Sequence, residues 1–208
     1  MTTRAFQSAV ARLVIEPSYA HAVRAGHGID PMLSPLEQRR LISVARDGGL
    51  AITRTLHQGF RLNKIIGRAP LCRTLLGERG MAVALEDYWS SCLPMSFYYM
   101  HEALAFTAYL RDRAIDMNVA FLGEVAAFEH AALQLQTLEG RQPDYFEAVP
   151  FQHDPAMLLS ELRDGVVPAT VRRTDVVLIG SVDARACAQW HTMSSAAWRA
   201  WQRSEAVA

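Results

Sequence analysis

The chain has 208 residues, half of them hydrophobic, enough for one medium domain or two small ones with real cores. Lys plus Arg and Asp plus Glu both number 21, so the formal net charge is zero. That balance argues against bulk, non-specific nucleic-acid binding, which relies on uncompensated cations, but leaves room for a local basic patch.

Three cysteines, Cys72, Cys92 and Cys187, lie far apart with no CxxC spacing. They suggest neither a zinc site nor a disulfide framework and fit a reducing cytoplasm. The opening Met-Thr-Thr-Arg-Ala-Phe lacks the apolar stretch of a signal peptide. No apolar run approaches the ~20 residues of a spanning helix, so a soluble cytoplasmic protein without a membrane partner is expected.

Phe6, Val10, Leu13 and Val14 give residues 4–15 helical spacing. Glu16-Pro17-Ser18 reads as an interruption before a short helix, Tyr19 to Ala25, that ends at Gly26. Ser34-Pro35-Leu36-Glu37 is a helix start, with Ser as N-cap, Pro at the first position and Glu37 completing a capping box. That helix runs to about Arg46, and Gly48-Gly49 is expected to end it. Another helix spans Leu50 to about Ile66, and Pro70 opens a short one to Leu76, before Gly77. Residues 80–92 place Met81, Leu85, Tyr88, Trp89 and Cys92 on one side of the next helix.

Residues 96–113 carry Phe97, Met100, His101, Leu104, Ala108 and Leu110, and 118–138 carry Phe121, Val125, Phe128, Ala132 and Leu135. With a break at Asp116-Met117-Asn118 these predict an antiparallel αα-hairpin. The polar run Glu139 to Asp144 is turn-rich and marks a domain boundary, with 1–140 a helical domain and 145–208 a smaller module. In that module a short strand is expected within 145–152, then a helix Ala156 to Arg163 capped by Asp154-Pro155. Strands follow at Val176 to Val182 and Arg185 to His191, and a last helix is capped by Ser194 and bears Trp198 and Trp201. The fold class is α+β.

Little in the chain carries catalysis by itself. GxSxG, Walker and strand-led GxGxxG motifs are missing, and no catalytic residue is assigned. His101-Glu102 and Glu129-His130, with Glu124 nearby, sit on the two long helices. A di-iron bundle needs Glu and His at i and i+3; adjacent residues point about 100° apart, so the plainer reading is a core-edge histidine beside a surface glutamate. No metal ligand is therefore assigned. Cys92 or Cys187 as a nucleophile with His57 or His191 has no local support. Trp198 and Trp201, one turn apart, read as packing on the sheet before they read as a base-stacking platform. Arg172 and Arg173 with Arg185 form a basic cluster able to meet phosphate or an acidic peptide, or else a solvated strand entry.

Three stretches resemble a family: Tyr88-Trp89 to Pro94 leading into His101–Leu110; Phe121–His130, similar to a family helix patterned Leu-x-x-Leu-Ala-x-Leu-Glu; and Asp175–Gly180 followed by Met193–Trp201. The chain resembles the MbnC-like partner proteins of TIM-barrel multinuclear iron enzymes, a wider family labelled as DNA-binding domains. It differs from them in its shortness and in having Asn118-Val119-Ala120 where the family enters its second long helix on a proline. The resemblance implies that 145–208 is a winged-helix-like peptide-recognition module. It implies a heterodimer with an MbnB-like iron oxidase that converts precursor-peptide cysteines to oxazolone and thioamide groups, as in methanobactin biosynthesis. Iron is then expected in the partner and no cofactor in this chain. A leader peptide would pair with the strand holding Val176, Val177, Leu178 and Ile179, and acidic leader residues would meet Arg172, Arg173 and Arg185. Two other readings stand beside this one: a winged-helix DNA-binding regulator, and a stand-alone helical metalloenzyme using His101, Glu102, Glu124, Glu129 and His130.

Overall fold

A computed structural model describes residues 3–92, 99–137, 142, 144–183, 185 and 187–205. Phe97, Ala186 and most of the 139–144 turn named above lie outside the described residues. In chain order the elements are α1 (Thr3–Ile15), α2 (Pro17–Arg24), α3 (Pro35–Arg46), α4 (Gly48–Ile66), α5 (Pro70–Ser91), α6 (Tyr99–Met117) and α7 (Leu122–Gln134). Then come β1 (Phe146–His153), α8 (Pro155–Arg163), β2 (Arg173–Val182), β3 (Ala188–Ser194) and α9 (Ser195–Glu205). The fold is α+β, mostly helical with one small antiparallel sheet. Among the described residues, no helix is long and apolar enough to cross a membrane.

Two compact units emerge: Met1–Asn63 with Trp89–Met95, and Lys64–Tyr88 with Ser96–Ala208. The division expected at 139–144 does not coincide with this one. The reason is packing across it: Phe128 of α7 meets Phe151 of β1 and Trp190 of β3, with ring centroids 6.5 and 4.8 Å apart. The last long helix and the sheet therefore share a core.

In the first unit, the apolar faces of α1, α2 and α3 bury Leu13, Tyr19, Ala20, Val23, Leu41 and Ala45 together. Ser34 and Glu37 form the expected capping box, Ser34 N donating to Glu37 Oε2 at 2.9 Å. Pro17 starts α2 instead of interrupting, because a first-turn residue has no intrahelical use for an N–H. Gly48-Gly49 likewise open α4 instead of closing α3. Asp47 adopts an extended conformation (φ −68, ψ 133) that ends α3, and its carboxylate accepts from Gly49 N at 2.6 Å.

In the second unit, Gly77 kinks α5 with φ 64 and ψ 179, a left-handed conformation that suits glycine. The two helices expected on either side of Gly77 are present within Pro70–Ser91, joined across this non-helical residue. Tyr88 packs edge-on to Phe106 of α6 at 5.3 Å between centroids, and α6 turns back through Asn118–Phe121 to pack on α7. The strand order is β1-β2-β3, with Val149 opposite Leu178 and Gly180 opposite Trp190. One face of the sheet meets α7, and the other meets α9 through Phe146, which lies within 6.0 Å of both stacked indoles, Trp198 and Trp201. Ser194 Oγ caps α9 as expected, accepting from Ala197 N at 3.2 Å.

The third strand begins at Ala188, three residues later than its alternating pattern suggests. Asp183 is the cause. Its carboxylate accepts from the backbone N–H groups of Arg185 and Cys187 at 2.8 and 2.9 Å, and its own N–H donates to the Cys187 carbonyl at 3.0 Å, so regular pairing resumes only at Ala188.

Candidate functional site

The strand singled out for peptide pairing is β2, and it is the centre of the sheet. Val176, Val177, Leu178 and Ile179 are opposite Phe151, Pro150, Val149 and Ala148 on one side and Ser194, Met193, Thr192 and His191 on the other. Both edges of β2 are taken, so an incoming backbone cannot pair with it. Sequence patterning identifies a strand but carries no information on which strand lies at the edge, which is set by long-range pairing.

The three arginines do not gather either. Arg172 and Arg173 stand at the start of β2 and Arg185 in the turn beyond its end, ~30 Å apart at the usual rise per residue. Arg172 is also engaged: its guanidinium donates to Asp154 Oδ2 at 2.8 Å. Asp154 meanwhile caps α8 through Ala156 N and Met157 N, at 3.1 and 3.4 Å. Arg173 and Arg185 have exposed side chains.

Two edges remain. On β1, Pro150 has no N–H to give β2, and its place in the ladder opposite Val177 turns its nitrogen outward. A proline on an edge blunts it against further pairing. On β3 nothing comparable is present: none of its seven residues is buried, and it contains no proline. By the alternation of an antiparallel ladder, Gln189, His191 and Met193 then face β2 with their backbone groups, and Trp190 and Thr192 present theirs outward. The open edge of this sheet is β3. By sequence either run, Val176–Val182 or Arg185–His191, could form a sheet edge, and the pairing puts the second of them there.

Beside the sheet lies a mostly apolar cavity of about 330 Å³ lined by Tyr145, Phe146, Ile179, Met193, Trp198 and Trp201, together with Asp144 and Ser181. The two indoles pack on the sheet as expected, yet Trp201 keeps 38% of its surface exposed.

The titratable groups of the long helices have separate partners. Glu129 is buried, and its two oxygens accept from Leu71 N at 2.6 Å and Cys72 N at 3.0 Å. A carboxylate from α7 thus caps the start of α5, where the backbone N–H groups lack helical acceptors. Burial pushes the Glu129 carboxyl up to about 7, against the pull of those hydrogen bonds, and pushes the buried Cys72 thiol up as well. Glu102 too is buried, while His101 is exposed, so the expected surface glutamates are core residues. His130 Nδ1 lies 3.1 Å from the Leu104 carbonyl, and Glu124 Oε1 accepts from His153 Nδ1 at 2.9 Å. Among the described residues, no three His, Cys, Asp or Glu side chains are placed to hold a metal ion together. The exposed face of α8, the one helix between β1 and β2, carries Met157, Ser160 and a single cation, Arg163.

No protein-family model matches the chain, and no curated protein is similar to it.

Proposed function

We propose that this chain is the peptide-recognition subunit of a peptide-modifying oxidase, holding the leader of a cysteine-bearing precursor while an MbnB-like TIM-barrel iron enzyme does the chemistry. The observation that supports this reading is the bare outer edge of β3. Unpaired backbone N–H and C=O groups on an exposed edge are a hazard to a protein unless a partner uses them, and an extended peptide can add there as a fourth strand. Trp190 and Thr192 would supply the backbone pairing, a role the sequence reading assigned to β2. The cavity at Met193, Trp198 and Trp201 would take an apolar leader side chain from the face that α9 covers. Arg185, exposed in the turn leading into β3, remains positioned to meet an acidic leader residue; Arg172, bound to Asp154, is not.

Affinity purification of the tagged chain from its native host, with mass spectrometry and metal analysis, tests the reading. Recovery of an iron-loaded barrel enzyme with a short cysteine-bearing peptide is expected. Recovery of the chain alone, or of the chain with iron of its own or with DNA, would overturn it.

A further inference from the structure

In the first unit, α4 inverts the usual polarity of a surface helix. Its arginines turn inward. Arg61 is buried, its guanidinium donating to the Cys92 carbonyl at 3.1 Å and lying over the ring of Trp89, and Arg54 is half-buried. Ile52, Leu56 and Phe60 point outward instead, 64, 69 and 40% exposed. At four-residue spacing these three form one stripe, and Arg54 and Arg61 lie about 140 to 160° round the helix from its centre.

Every exposed residue of α4 from Gly48 to Asn63 is uncharged. The two threonine hydroxyls there are already satisfied. Thr53 Oγ1 donates to the Gly49 carbonyl at 3.0 Å and Thr55 Oγ1 to the Ala51 carbonyl at 3.1 Å, so covering them strands no donor. Leu50, in the first turn, joins the core of α1, α2 and α3, and none of the stripe residues does. Large apolar side chains without charge are the composition of an interface centre.

The occupant this face fits is a second copy of the chain. A neutral face meets its own copy without the like-charge repulsion that a charged one suffers at a two-fold axis. The stripe is also symmetric about Leu56. Across a two-fold axis there, Leu56 meets Leu56, Ile52 meets Phe60, and Thr53 meets Gly59, around which a Cβ would find open space. Two such faces together cover on the order of 1,000 Å², the least that a specific interface needs.

We propose that α4 pairs with α4 of a second copy, antiparallel, about a two-fold axis at Leu56. The inference concerns the first unit and does not rest on the β3 reading.

Sedimentation equilibrium of the full chain tests it. A reversible dimer is expected, dissociating at roughly micromolar concentrations, as small interfaces do. Leu56→Glu sets two carboxylates against each other on the axis and should weaken the dimer at least tenfold, with circular dichroism unchanged because the side chain is exposed. Should that variant misfold, Leu56→Cys supplies a second readout, with Cys92 and Cys187 replaced by serine. Mild oxidation should link two copies through position 56, where the axis brings the Cβ atoms together, and not through Gln58→Cys, which lies on the far side of the helix. A chain that stays monomeric to roughly 100 μM, a dimer indifferent to a folded Leu56→Glu variant, or equal cross-linking through position 58 would overturn the proposal. So would a monomer that binds phosphatidylcholine–phosphatidylglycerol vesicles through Leu56, which would give the face to a lipid surface.

Discussion

Trp190 lies flat against Gly180 across the β2–β3 ladder. A Cβ built on Gly180 would stand 2.6 to 2.8 Å from three atoms of the indole, closer than any real contact. The absence of a side chain at 180 is what lets Trp190 reach over the sheet to Phe128 of α7. Gly180→Ala should therefore destabilise the second unit by ~1–3 kcal/mol, the usual cost of overpacking. Urea denaturation measures this directly. Combining it with Trp190→Ala should remove most of the added cost, since the clash has gone; simple additivity of the two losses would refute the contact as the cause.

Glu129 makes stability depend on pH in the direction opposite to an ordinary ion-paired carboxylate. Its folded value of about 7 lies above the ordinary 4.5, so the folded state holds the proton more tightly than the unfolded one. The contribution is complete below about 4.5, falls as pH rises through 7, and is level above that, a change on the order of 3 kcal/mol. Glu129→Gln removes the titration. The stability difference between wild type and this variant should shift in favour of the variant between those two pH values; parallel curves would contradict the assignment.

At the start of α8, Asp154 and Arg172 are bonded but unequal. Asp154→Ala removes a helix cap and should cost ~1 kcal/mol. Arg172 is 76% exposed, and Arg172→Ala should cost less than ~0.5 kcal/mol, as exposed ion pairs do. Equal losses in thermal or urea unfolding would mean that the ion pair, not the cap, carries the effect.

How much of this was legible depended on whether its cause was local. The starts at Ser34-Pro35, Pro70 and Asp154-Pro155, and the cap at Ser194, follow from side chains within a turn of the backbone they serve. The helical hairpin and the α+β class follow from periodicity. What failed was non-local. That β2 is central, that Arg185 stands a strand's length from Arg172, and that Glu129 caps a helix 57 residues earlier at Cys72 are properties of pairing and packing. The late start of β3 was local in cause, yet Asp183 gives no apolar signal to the strand pattern.

A proline in β3 separates the peptide edge from the rest of the sheet. Thr192→Pro deletes an N–H that faces outward and spares the ladder with β2, whereas Leu178→Pro would break the centre of the sheet. Thr192→Pro should leave the fold intact by circular dichroism and reduce capture of the precursor peptide on the order of tenfold or more, the scale of lost buried hydrogen bonds. Undiminished capture would move the peptide elsewhere.

The most direct measurement is amide hydrogen exchange, residue by residue, on the chain with and without the cysteine-bearing peptide recovered with it. Pairing of a leader with β3 should slow exchange at Trp190 and Thr192 while leaving Val177 and Leu178, already bonded inside the sheet, unchanged. Saturating peptide with no new protection at Trp190 and Thr192 would contradict strand addition at this edge.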